Sequence, residues 1–171
     1  MTWTAPDVTR TGGSLVAGER EMLTGYLAWQ RDTFLTKCQG LTGEQLALRP
    51  LPDSNLSLLG LIRHLAKVER TWFRQRFAAE PVPRLFSESP SKDADFEELD
   101  PSRAEEDYAR LLEERRIADG ILAAASLDDT FVLDGEEHSL RLVLFHLVSE
   151  YARHNGHADL LREHTDGVTG F

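Results

Sequence analysis

Four side chains with ligand or acid–base chemistry recur along one stretch of the chain. They are His146, Glu150, His154 and His157, within LRLVLFHLVSEYARHNGHADLLRE. At about 100° per residue these groups fall within roughly 80° of one another on a helix. Val143, Leu147 and Leu161 share or border that stripe, which is the stripe a soluble helix normally buries. Imidazoles and a carboxylate on such a face cost free energy unless they are hydrogen-bonded or bound to something. A divalent metal held by neutral imidazole and carboxylate satisfies them. A zinc-like ion needs three or four ligands converging at roughly 2.0–2.2 Å. Groups at i and i+4 are neighbours, whereas groups at i and i+8 lie about 12 Å apart along the axis and cannot share an ion. The stretch can therefore supply one adjacent pair: His146/Glu150, Glu150/His154 or His154/His157. A third ligand must come from another helix. Histidine–carboxylate ladders also form plain hydrogen-bonded i,i+4 pairs, so a metal-free cluster stays open as the alternative.

His64 is the only histidine elsewhere in a helical core pattern. It lies at the edge of an apolar face, beside Leu61 and Val68, from where it can look across at the histidine-bearing helix. His138 precedes that helix and His164 ends it, where the imidazole meets the helix dipole, and both read as non-ligands.

Four long helical patterns position these groups. The first runs from about Leu15 to Gln39, with Leu23, Leu27, Phe34 and Cys38 at spacings of four and seven, and Gly40 stops it. A short helical turn in TGEQLAL is closed by Pro50 and Pro52. The second pattern begins after Ser57 as N-cap and runs through LLGLIRHLAKVERTWFRQRFAA. PVPRLFSESPSKDADFEEL, with three prolines and many acids, reads as a long irregular connection of the kind that serves as a lid or mobile segment. Asp100-Pro101 opens the third helix, with Tyr108, Leu111, Leu112 and Ile121 inward. TFVLDGEEHSL reads as a β-hairpin turning at Asp134-Gly135. The fourth helix spans Ser139 to about His164. Together these predict an all-α four-helix bundle with a small β-hairpin before the last helix, its site built from inward-facing side chains. Residues 1–171 read as a single domain, with 1–13 as a flexible N-terminus.

The composition narrows the function. The chain has 171 residues and 41% hydrophobic content, enough for one ordinary core. A net charge of −10 argues against nucleic acid or an anionic membrane surface as partner. No apolar run approaches the ~20 residues needed to cross a bilayer. No signal peptide is evident in MTWTAPDVTRTGG, and a single cysteine rules out an intrachain disulfide, so a reducing cytoplasm is the expected home. Cys38 lies in a helical pattern with no base nearby and reads as a packing residue. A homodimer is an open arrangement.

PLPDSNLSLLGLIRHLAKVERTWF followed by HLVSEYARHNGHADLLRE resembles the DinB-like superfamily. The resemblance runs from TGYLAWQRDTF to the end of the fourth helix. It is greatest to the actinobacterial branch of uncharacterised and mini-circle proteins, related to mycothiol-dependent maleylpyruvate isomerases. It implies a four-helix bundle with a metal triad of one histidine from the second helix and two groups four residues apart on the last. On this sequence the triad falls on His64, Glu150 and His154. Glu150 departs from the commoner histidine of the superfamily but resembles the isomerase branch. His157 stands where glutamine is frequent, and His146 falls one turn before the triad as a structural hydrogen-bonder.

Such a ligand set leaves an open position on the ion, the pattern of a catalytic site. Zinc is the first expectation, with nickel or iron admissible. The resemblance implies a low-molecular-weight thiol such as mycothiol, activated at the metal and delivered to a small-molecule substrate by a transferase or isomerase. His157 is then the catalytic proton carrier. Arg63 and Arg153, which adjoin the ligands, are candidates for binding a carboxylate on the substrate or cofactor. Two other readings remain: a non-catalytic stress-response or binding protein with a structural metal or histidine cluster, and a metal-dependent hydrolase.

Overall fold

The computed structural model describes residues 2–86 and 88–170. Helix α1 spans Glu19–Cys38, α2 Gly43–Ala47, α3 Leu58–Glu69, α4 Ala94–Glu97, α5 Ala104–Ala124 and α6 Leu140–Asp166. Strands β1 (Thr130–Leu133) and β2 (Glu136–Ser139) form an antiparallel hairpin in the register Thr130↔Ser139 to Leu133↔Glu136. Its turn residues Asp134 and Gly135 have φ of 53° and 84°, the left-handed pair that a tight hairpin turn demands. The expected all-α bundle with a hairpin before the last helix is the fold observed. No helix among the described residues is long and apolar enough to cross a membrane.

The caps read from sequence do their work. Ser57 Oγ accepts from the Gly60 amide at 3.0 Å, and Ser139 Oγ accepts from the Leu142 amide at 3.2 Å. Thr42 and Gln45 close a capping box on α2. Asp100 caps a 3-10 turn, Pro101–Arg103, that leads into α5. The first helix begins at Glu19 rather than Leu15, because Gly18 is its N-cap. Leu15 and Val16 therefore stand outside it, 89% and 93% exposed. Leu112 was expected inward but is 41% exposed, because its neighbour Leu111 takes the interface position and a helix turns about 100° between them. Residues 1–13 were expected to be flexible, yet part of that stretch is docked. Ala5 exchanges backbone hydrogen bonds with Leu41 and Gly40, and Trp3 packs edge-on against Tyr108 at 5.8 Å.

Helix directions follow from the contacts. Glu19 meets Arg141, Gln30 meets Asn155 and Lys37 meets Asp159, so α1 and α6 run parallel. Arg63 meets Asp107 and Arg70 meets Glu114, so α3 and α5 run parallel too. His64 beside Glu150 and Trp72 beside His146 make α3 antiparallel to α6. The order is up, down, down, up. The parallel α3–α5 step forces the long connection between them, residues 78–100, to travel the length of the bundle.

Beyond Glu69 the α3 axis continues through Arg70–Phe77 with π-type hydrogen bonding. The change falls where Glu69, fully buried, is gripped by Arg31 at 2.7 and 2.6 Å and by the Tyr151 hydroxyl at 2.9 Å. Arg31 also reaches Asp119 on α5 at 2.7 Å. One buried charge thus ties α1, α3, α5 and α6 together. Removing one member of such a group strands the others in low dielectric. Glu69→Ala should cost about 3–5 kcal/mol in urea unfolding. Arg116→Ala, which breaks an exposed i,i+3 pair with Glu113, should leave the midpoint unchanged.

Candidate metal centre

The core stripe of α6 is Leu140, Val143, Leu147, Tyr151, His154, Ala158 and Leu161, all buried. The histidine–carboxylate ladder is centred roughly 60° round from that stripe, toward α3, and shares His154 with it. Only His154 in the ladder is fully buried, and His146, Glu150 and His157 are half-buried. From α3, His64 turns its Nε2 to Glu150 Oε1 at 3.2 Å, and His154 Nε2 lies 3.3 Å from the same oxygen. The ligand atoms of His64, Glu150 and His154 all lie within 4.8 Å of one another. No other group of three His, Cys, Asp or Glu converges in this way among the described residues. The two measured separations match the roughly 3.3 Å between ligand atoms of a tetrahedral zinc site.

The partners of the far ring nitrogens fix which nitrogen faces the centre. His64 Nδ1 lies 2.9 Å from Asp95 Oδ2, a carboxylate buried to 1% exposure. Its Nδ1–H donates there; Nε2 bonds Glu150 as an N–H donor when protonated and would offer its lone pair to a metal once that proton leaves, the arrangement that orients metal-binding histidines generally. His154 Nδ1 lies 3.2 Å from His157 Nδ1. With Nε2 of His154 offered as acceptor, its Nδ1–H donates to His157, and His157 is left carrying its own proton on Nε2. His157 thus touches the outer nitrogen of His154 rather than the converging atoms. The donor set fits a divalent ion: two imidazole nitrogens and one carboxylate oxygen, each with its tautomer or charge set by a neighbour.

Burial pulls the His64 pKa down, but hydrogen bonds and charge from Asp95 and Glu150 outweigh it and leave it raised. Glu150 is pushed far below the usual carboxylate range by its hydrogen bonds to His154 and then His64. Desolvation, with help from His154 and Arg153, lowers the His157 pKa.

Asp95 carries no signal in the sequence, where it is one acid among many in SKDADFEEL. The fold singles it out. Short helix α4 presses onto α3: Arg63 donates to the carbonyls of Ala94 and Asp95, and Lys67 Nζ reaches Asp95 Oδ1 at 2.9 Å. Phe96 lies over the His64 ring at 5.1 Å and over Gly60, where any Cβ would meet Phe96 Cδ1 at 2.7 Å. The segment read as an irregular connection is thus pinned at its middle to the centre.

Arg63 is half-buried and engaged by Asp107 at 3.2 Å as well as by the α4 carbonyls. Arg153 is exposed, with no hydrogen-bond or ion-pair partner among the described residues, and lies near enough to depress both His146 and His157. His146 was expected as a hydrogen-bonder. It makes no hydrogen bond among the described residues and packs on the Trp72 ring at 4.3 Å between centroids, while the Arg76 guanidinium carbon lies 4.1 Å from the centroid of a ring of the same indole. The π-type turn carries Trp72 and Arg76, which therefore extend the rim of the centre beyond the ladder. Cys38 is buried with its thiol pushed up to about 12 by desolvation, in keeping with a packing role.

Residues 22–167 match the sequence model of the mycothiol-S-transferase family. No curated protein and no solved structure matches the chain.

In metal-free protein, Asp95→Ala should cost about 1–3 kcal/mol, since it leaves His64 Nδ1–H and Lys67 without their buried acceptor. Asp95 titrates below its ordinary 3.8, because its bonds to His64 and Lys67 outweigh the opposing effect of burial. A depressed carboxylate contributes stability above its unfolded value and loses it as pH falls through its folded value. Because Asp95 also raises His64, the gap between wild type and Asp95→Ala should widen as His64 protonates below neutral pH and then close as pH drops below 3.8, as measured by urea midpoints across that range.

Proposed function

The chain belongs to the mycothiol-S-transferase family, and from that premise we propose a metal-dependent enzyme that transfers the sulfur of a low-molecular-weight thiol, mycothiol, to a small electrophile. The observation that carries the metal requirement is the convergence of His64 Nε2, Glu150 Oε1 and His154 Nε2 at the α3–α6 seam. In this reading those three are the ligands, and zinc is the first choice, with nickel or iron admissible. Two neutral nitrogens and one carboxylate leave a divalent ion with net positive charge and at least one open position. An ion so held lowers the pKa of a thiol brought to that position and keeps the thiolate at hand as nucleophile.

The surrounding residues have separate tasks. Asp95 and His157 hold the two ligating rings in one tautomer each, so the centre needs no rearrangement to bind its ion. His157 presents Nε2–H outward, which makes it a hydrogen-bond donor toward developing negative charge, a narrower role than a free proton carrier. Arg153 is the uncommitted cation at the rim and suits an anionic group on the electrophile. Arg63 is spoken for by Asp107 and α4. A reducing cytoplasm, where a thiol co-substrate stays reduced, is the proposed setting.

The hydrogen bonds among His64, Glu150 and His154 favour one second reading, a metal-free polar cluster that only joins α3 to α6. Metal content separates the two. Purified protein should carry about one divalent ion per chain. His64→Ala, Glu150→Gln and His154→Ala should each strip it, whereas His157→Ala should retain it with affinity reduced about 10- to 100-fold. Equal retention in all four variants, or no uptake of zinc or cobalt by wild type, rejects the ligand set. In cobalt-substituted protein, added mycothiol should perturb the visible bands, and an unchanged spectrum at millimolar thiol would remove the thiol from the reading. The transferase assay itself should then lose rate in His157→Ala and Arg153→Ala at unchanged metal content.

A further inference from the structure

On the α3–α5 side of the bundle, under the long connection, lies a cavity of about 470 Å³ lined by Arg63, Arg70, Arg84, Arg103 and Arg110. A chain of net charge −10 with 19 basic residues has gathered five of them around one hollow. None of His64, Glu150 and His154 lines it. Much of this charge is already matched. Arg63 pairs with Asp107, Arg70 with Glu114, and Arg103 with the exposed Glu106. Arg84 and Arg110 have no ion-pair partner among the described residues.

Arg110 provides the second observation. Its Nε is buried and has no hydrogen-bond partner among the described residues. A guanidinium N–H withdrawn from water and left unpaired is costly, and structures generally supply it with an acceptor. The carboxylates that line the cavity do not do so. Glu88, Glu98 and Asp100 are exposed, and Asp107, which also lines the cavity, is taken by Arg63. Glu98 is taken by Ser89 and Asp100 by Ser102. The remaining wall is apolar: Leu85 is buried, and Phe86 lies under the Arg63 guanidinium at 3.9 Å. A planar fork of N–H donors next to an apolar wall is complementary to an oxyanion on a short hydrophobic body.

We propose that this cavity is a second ligand site, separate from the metal centre, that takes a small molecule bearing a carboxylate or phosphate through Arg110 and Arg84, with its apolar part against Phe86. Arg63 joins the two regions, since it lines the cavity while its guanidinium holds the α4 carbonyls beside Asp95.

Calorimetric titration of the purified protein with benzoate and, separately, with inorganic phosphate tests this. At least one probe should bind with one site per chain. Benzoate the tighter of the two identifies an organic carboxylate, and phosphate alone identifies the free ion. Arg110→Gln and Arg84→Gln should each weaken binding by about tenfold or more, the scale of one charge-assisted hydrogen bond. Arg84 is exposed, so its substitution keeps the test valid even if Arg110→Gln folds poorly. His154→Ala should leave the titration unchanged. Three outcomes overturn the proposal: neither probe binds, binding survives both arginine substitutions, or binding disappears in His154→Ala but persists in Arg84→Gln, which would place the anion at the metal centre.

Discussion

A buried carboxylate has to be satisfied on every side, and Glu69 imposes that demand on the whole bundle. Its partners come from three directions: Arg31 on α1, Tyr151 on α6 and, through Arg31, Asp119 on α5. Apolar side chains tolerate some sliding and rotation, because one methyl contact is much like another. Hydrogen bonds at 2.6–2.9 Å do not. Whatever this group contributes to net stability, it allows only one set of helix rotations. Tyr151 inward leaves Glu150 at the α3 edge, one residue back, and Glu69 inward leaves His64 at the α6 edge, five residues back. The centre is where those two edges meet.

Around that centre, rigidity is built in layers. Asp95 and His157 touch the outer ring nitrogens of His64 and His154, α4 clamps Asp95 in place, and Phe96 fits over α3 only because position 60 has no side chain. The clamp belongs to the connection that the parallel α3–α5 step makes necessary. Topology thus supplies both the segment and its contact with the helix that carries His64. The same segment walls the arginine-lined cavity with Leu85 and Phe86. Arg63 and His64, adjacent on α3, face these two regions from neighbouring positions about 100° apart.

The sequence by itself determined the elements and the candidate ligands. Helix periodicity, Ser57, Ser139 and Asp100 as caps, and Asp134-Gly135 as a turn are local signals, decided within a few residues by backbone sterics and capping hydrogen bonds. His64 and the ladder of His146, Glu150, His154 and His157 were conspicuous as polar groups on the edge of an apolar face, and helix reach reduced the ladder to one of three adjacent pairs; the family resemblance, not the spacing, singled out His64, Glu150 and His154. Only the tertiary structure decided the rest. Asp95 looks like its acidic neighbours until α4 lands on α3. His146 looks like a ladder member until Trp72 covers it. The docking of Trp3 and Ala5 depends on partners between about 30 and 100 residues away in the chain, and the burial of the Arg110 Nε is likewise set by packing rather than by local sequence. Periodicity records which side of a helix faces inward. It cannot record which charge on another helix waits there, because that is settled by the joint packing of all four.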